Sequence, residues 1–166
     1  NAASSEPLCD NKDNDCDGQV DETCDVDDDD YCDEIKVVIG TPTTCKSGGG
    51  DCNDGKTAIN PGVTEICGNG IDDNCNKTQN EKNATSCKWW NLDGDGDGYG
   101  HKTLKQCWCA KTGKYTAQNA KDCNDTTKAV NPGVTEICFN GVDDNCNKSE
   151  NEQDATGCKD WHLDED

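Results

Sequence analysis

The chain has 166 residues, with 35 acidic side chains against 15 lysines and no arginine, for a formal charge of −20. The scattered lysines exclude the clustered cationic surface that nucleic-acid binding needs, and no run of 18 apolar residues is present to cross a membrane as a helix. Leu, Ile, Val and Phe total only 19 residues, too few for an apolar core, whereas 15 cysteines match the density of small secreted folds that replace such a core with disulfides.

The first residue is Asn1 rather than Met. With this cysteine content, a processed product of an oxidising compartment is expected, extracellular or at a cell surface. The negative charge calls for bound cations. Six Ca²⁺ ions would bring −20 to about −8, an ordinary surface charge.

Residues 51 to 95 return at 122 to 166 with a fixed offset of 71 and 31 of 45 positions identical. Three units follow: a diverged partial repeat over 1–50, a full repeat over 51–121 and a truncated second repeat over 122–166. What is copied is mostly Asp, Asn, Cys, Gly and Pro, so the repeat conserves cross-links and oxygen donors rather than apolar periodicity. The expected fold is a small, irregular, disulfide-rich Ca-binding repeat array, mostly loops with short β-hairpins and single helical turns.

The partial repeat opens on Cys9 and Cys16, around which Asp13, Asp15, Asp17, Gln19, Asp21 and Glu22 form a loop with oxygen donors at alternate positions and Gly18 at the sixth. Alternation matters because a chain curling round one cation turns every second side chain inward, and hard Ca²⁺ takes several oxygen donors at once. Asp25, Asp27 and Asp29 repeat the pattern, Tyr31 offers a backbone carbonyl at the seventh position, and Asp51 is the expected closing carboxylate. Ile35 to Ile39 reads as one strand, ended by Gly40 and Pro42.

In the full repeat, Asp54 is expected to N-cap a helical turn reaching Ile59, which Asn-Pro-Gly then stops. Glu65 precedes a Cys67 to Cys75 loop, where Asp72, Asn74, Asn76 and Glu81 match the Asp13 pattern with Asn in place of Asp. Lys77 replaces the glycine. These copies should hold a cation more weakly. Trp90 is expected to act as a miniature core. Asp93, Asp95, Asp97 and Tyr99 form the second acidic loop; its twelfth position is Leu104 rather than the usual Glu, so Asp122 is the expected closer. Leu104 to Trp108 and Tyr115 read as a hairpin. The truncated repeat copies the earlier elements with Asp125 as a helical cap, Glu136 as an extra ligand, and Asp143, Asn145, Asn147 and Glu152 as the loop.

Proximity along the chain suggests local disulfides: Cys9–Cys16, Cys24–Cys32, Cys45–Cys52, Cys67–Cys75 and Cys138–Cys146, with Cys87 and Cys123 sharing Cys107 and Cys109. Cys158 is left over. It is therefore the expected intermolecular thiol, and the chain is expected to self-associate, joining head to tail as the subunit of an extracellular filament in which an incoming Cys9, Asp13 and Asp15 complete the acidic loop interrupted at Asp166.

The DxDxDGYG run, the DCND to NPGVTEIC segment and the NGxDDNC loop resemble the metal-binding repeat family of bacterial surface proteins that includes the MopE-type copper proteins. More loosely, they resemble thrombospondin type 3 calcium repeats. The resemblance implies a secreted, calcium-stabilised array. Copper needs soft or imidazole ligands, and the chain has no Met and only His101 and His162. A copper-binding surface protein, or a glycan-binding adhesion module using Trp89, Trp90 or Trp108, is the alternative. No Ser-His-Asp or Cys-His arrangement stands out, so no enzyme is expected. The sequons at Asn76 and Asn147 coincide with loop ligands, so glycan and cation exclude each other there; Asn83 and Asn124 carry two more.

Overall fold

A computed structural model describes residues 6–152 and 154–158. Trp161, His162 and the acidic stretch ending at Asp166, with the proposed loop interruption there, lie outside the described residues. The chain divides into two compact units, 1–86 and 87–166.

Unit 1 holds four short strands in two parallel pairs. β1 (Leu8–Cys9) pairs with β3 (Val37–Val38), and β2 (Tyr31–Asp33) pairs with β4 (Gly48–Asp51). β3 falls inside the expected 35–39 strand but keeps only two residues of it, because its one partner, β1, is only two residues long. β4 has the sequence Gly-Gly-Gly-Asp. Glycine at 49 is required by packing: a Cβ there would stand 2.9 Å from a Val38 methyl.

Unit 2 holds a three-stranded antiparallel sheet in which β5 (Lys88–Leu92) lies between β6 (Lys105–Trp108) and β7 (Tyr115–Ala117). The expected hairpin is thereby corrected. β6 and β7 both pair with β5 rather than with each other, and Tyr115 of β7 bridges to Thr112 in the connecting segment. Trp90, in β5, is buried, and its indole N–H donates to the Trp108 carbonyl at 3.2 Å, as a miniature core requires.

There are no helices among the described residues. The turns expected at Asp54 and Asp125 are single turns, held by bonds such as Ile59 N–H to Lys56 C=O and Val130 N–H to Thr127 C=O. Neither aspartate caps them. Asp54 accepts from Val26 N–H at 2.9 Å and Asp125 from Gly94 N–H at 2.6 Å, so each is drawn to an acidic loop instead.

The interior is made of sulfur and carboxylate. In unit 1 the buried cluster is Cys9, Cys24, Cys32 and Cys45, with Val38 packed against it. The largest fully buried side chains are Glu6, Glu65, Glu136, Asp21 and Asp51. Fourteen cysteines are disulfide-bonded, but along a different frame from the one that proximity suggests. The bonds are Cys9–Cys24, Cys32–Cys45, Cys52–Cys75, Cys87–Cys107, Cys123–Cys146 and Cys138–Cys158, with Cys67 and Cys109 also in disulfides. Only Cys87–Cys107 agrees with the local scheme. Cys158 is consumed by Cys138, so it is not an intermolecular thiol.

Geometry explains the change. Cys75 and Cys146 each sit inside an Asn-rich loop in left-handed backbone, φ 56° and 60°, and are held against the Cys52 and Cys123 amides, whose N–H groups donate to the sulfurs at 3.0 and 3.1 Å. In the six bonds named, the cysteines stand 13 to 23 residues apart. Closing loops of this size stabilises the fold by about 3 kcal/mol per bond in the chain-entropy picture.

Cys16 occupies the corresponding place, φ 63°, but is free and exposed. Alkylation of the unreduced native protein followed by peptide mapping should label Cys16 alone. Labelling of Cys158 would overturn the pairing described.

Candidate metal centres

Five loops share one internal hydrogen-bond pattern. In the Asp93 loop, the two Asp93 oxygens accept Asp97 N–H at 3.1 Å and Gly98 N–H at 3.2 Å, Asp95 Oδ1 accepts Asp97 N–H, and Asp97 Oδ1 accepts Tyr99 N–H. The loops starting at Asp13, Asp72 and Asp143 repeat these four bonds. The Asp25 loop repeats three of them. The pattern spends both oxygens of the first residue on the backbone and, where all four bonds form, one oxygen each of the third and fifth residues.

The sixth residue of every loop is left-handed: Gly18, Asp30, Lys77, Gly98 and Lys148, with φ between 72° and 95°. Lysine at this position therefore does not abolish the loop. It adds backbone strain of about 1 kcal/mol. Lys77→Gly and Lys148→Gly should each stabilise the protein by about that amount in denaturant unfolding.

The loops differ in what satisfies the inward oxygens. In the Asp13 loop, Glu6 Oε2, Asp15 Oδ2 and both oxygens of Glu22 are buried without any donor. One oxygen from each of Glu6, Asp15 and Glu22 lies within 4.8 Å of the others, as does one from each of Asp13, Asp15 and Asp17. Such a convergence of unpaired carboxylates is tolerable only around a cation, so these residues fit a metal ion. Gln19 takes the seventh position, where a loop of this form offers its backbone carbonyl, and its amide donates to Asp17. Glu6 was not apparent from sequence; it corresponds to Glu65 and Glu136, but lies three residues before its cysteine rather than two.

Asp21 also ties the chain together: its two oxygens accept Asp10 N–H at 3.0 Å and Asn11 N–H at 2.8 Å.

In the acidic loop of unit 1, Asp25, Asp27 and Asp29 converge within 4.8 Å, and both Asp27 oxygens are buried without donors. Asp51, the expected closing carboxylate, lies near enough to feel the charges of Asp29 and Asp27. It is fully buried, Oδ1 accepts Asn53 N–H, and Oδ2 has no donor. Burial raises its pKa to about 6, against the pull of the Asn53 amide and with help from the charges of Asp29, Asp27 and Asp54. The counterpart in unit 2 is alike: Asp95, Asp97 and Asp122 each keep one orphan oxygen, and burial followed by Asp97 and Asp95 raises Asp122. Asp122 N–H is held by Gly100 C=O, and its bridge to His101 brings it beside the loop. Tyr31 and Tyr99 fix where the loops end. A Cβ on Gly62 or Gly133 would lie 2.6 or 2.8 Å from their hydroxyls, which is why glycine follows Asn-Pro.

The Asn copies are internally satisfied. Glu81 accepts from the Asn74 and Asn76 amides and the Thr78 hydroxyl, which hold its carboxyl below the usual range, Thr78 first. Glu152 accepts from the Asn145 and Asn147 amides. Only Glu65 Oε1 and Glu136 Oε1 are left without donors there; their other oxygens accept Asp73 and Asp144 N–H. An Asn amide can turn either its carbonyl or its NH₂ inward, an option Asp lacks.

The raised Asp51 pKa sets a sign. In the metal-free protein its neutral form is favoured by the fold, so the stabilisation is present at pH below 3.8 and is lost as pH rises through about 6. Metal-free protein should therefore melt at a higher temperature at pH 4.5 than at pH 7, and Asp51→Asn should flatten that dependence.

A family model described as "Putative metal-binding motif" (Cu-binding_MopE) matches residues 3–22, 51–81 and 122–152. No curated protein and no solved structure matches the chain. The matched segments end on Glu22, Glu81 and Glu152, the carboxylates that close the first loop and its two Asn-rich copies. The acidic loops at Asp25 and Asp93 lie outside them. With three copies of the motif set on a disulfide frame, the chain is similar to this metal-binding family in three segments that together cover 82 of its 166 residues.

Proposed function

We propose that the protein is a secreted, calcium- and disulfide-stabilised structural repeat of the cell surface or matrix, without catalytic activity. The observation that carries this reading is the set of buried carboxylate oxygens without donors in the Asp13, Asp25 and Asp93 loops. Every one is a hard oxygen donor, and the loops gather several of them at alternate positions, as calcium requires. Ions held this way complete the fold rather than sense a signal, because the ligands come from segments that the ion itself draws together.

Copper finds less support. Among the described residues His101 is the single imidazole, and its Nδ1 already accepts Thr103 and Leu104 N–H. The sulfurs are in disulfides apart from Cys16. An extracellular location follows from the redox chemistry of so many disulfides. Head-to-tail assembly into a filament no longer draws on Cys158, and would use non-covalent surfaces or the exposed thiol of Cys16.

Elemental analysis of protein purified without chelator is the test. Several calcium ions per chain with negligible copper are expected, together with a large fall in melting temperature on adding EDTA under non-reducing conditions. Stoichiometric copper would overturn the reading.

A further inference from the structure

We propose that each acidic loop holds two cations rather than one, the second bound by Asp54 in unit 1 and by Asp125 in unit 2. The inference rests on the calcium reading above and extends it to residues that the loop pattern leaves out.

Asp54 lies three residues beyond the closing Asp51, and Asp125 three beyond Asp122. In both copies the turn between them, in which the first carboxylate accepts the N–H two residues on, brings the later aspartate back onto the loop. There its Oδ1 accepts the N–H of the loop's second residue, Val26 or Gly94. The approach in unit 2 is close enough that a Cβ on Gly94 would stand 2.9 Å from Asp125 Oδ2. Asp122 and Asp125 also line one cavity together with Gly94.

Two further observations point to an ion there. Asp51 is 0% exposed and Asp122 4%, and each has a buried Oδ2 with no partner. In unit 1 both oxygens of Asp27 are also buried and donor-free, although one loop ion uses a single oxygen from the third position. Such a carboxylate has an oxygen to offer each of two cations. Charge agrees. Asp25, Asp27, Asp29, Asp51 and Asp54 bring five negative charges, so one divalent ion leaves three uncompensated, while a second leaves one. Burial and the neighbouring Asp33, Asp25 and Asp27 charges raise the Asp54 pKa, the direction expected of an acid short of positive charge.

Asp54→Asn and Asp125→Asn separate this role from simple loop pinning, because Asn keeps the Oδ1 acceptor and removes only the charge. Native mass spectrometry of the full chain in saturating calcium should count one ion fewer in each variant and two fewer in the double variant. The wild-type count in both variants would overturn the proposal while leaving the calcium reading intact. Wild-type protein that retains no calcium would instead overturn the calcium reading itself. The two substitutions lie in separate units, so misfolding of one leaves the other informative.

Discussion

A carboxylate taken out of water must be given something positive, and that requirement organises this protein. Among the described residues every buried side-chain atom left without a partner is an Asp or Glu oxygen. An uncompensated buried carboxylate costs several kcal/mol, and a whole domain has only about 5 to 15 kcal/mol to lose. Cations in the Asp13, Asp25 and Asp93 loops would supply that positive charge. The Asn copies reach a similar backbone by a different route, with amides donating to Glu81 and Glu152. One loop geometry thus appears in two electrostatic versions, and the substitution of Asn for Asp is what separates them.

The disulfides act on the same loops. Asp51 is the closing carboxylate expected for one acidic loop, and the next residue, Cys52, is bonded to Cys75 between the amide-bearing Asn74 and Asn76. Asp122 and Cys123 stand in the same relation to Cys146. Each covalent bond joins the closing side chain of one loop to the middle of the next, so displacement of an ion is resisted by a neighbouring loop to which it is tied. Reduction and chelation should therefore reinforce one another.

Much of the metal chemistry was legible in the sequence because it is local. Alternate Asp positions fix the inward side chains whatever the rest of the chain does, and the repeat offset identified Asp51 and Asp122 as equivalent closers. The disulfide frame was not legible by proximity: a cysteine inside a cation loop faces away from the cysteine that precedes the loop, so Cys75 meets Cys52 rather than Cys67. Gly48 to Asp51 carries no side-chain pattern that could announce a strand, and only the backbone ladder to β2 defines it. Alternate spacing could not show that the Asp21 oxygens also hold the amides of Asp10 and Asn11. Glu6 escaped notice because the partial repeat has a different spacing before its cysteine.

An interior of cystine and carboxylate also shapes the response to temperature. The heat capacity of unfolding rises with the apolar surface exposed and falls with the polar surface exposed. Unit 1 buries Cys9, Cys24, Cys32, Cys45, Glu6, Asp21 and Asp51 where an ordinary domain buries leucine and valine. A shallow stability curve is the expected consequence, because disulfides and ion contacts do not weaken on cooling as hydrophobic contacts do.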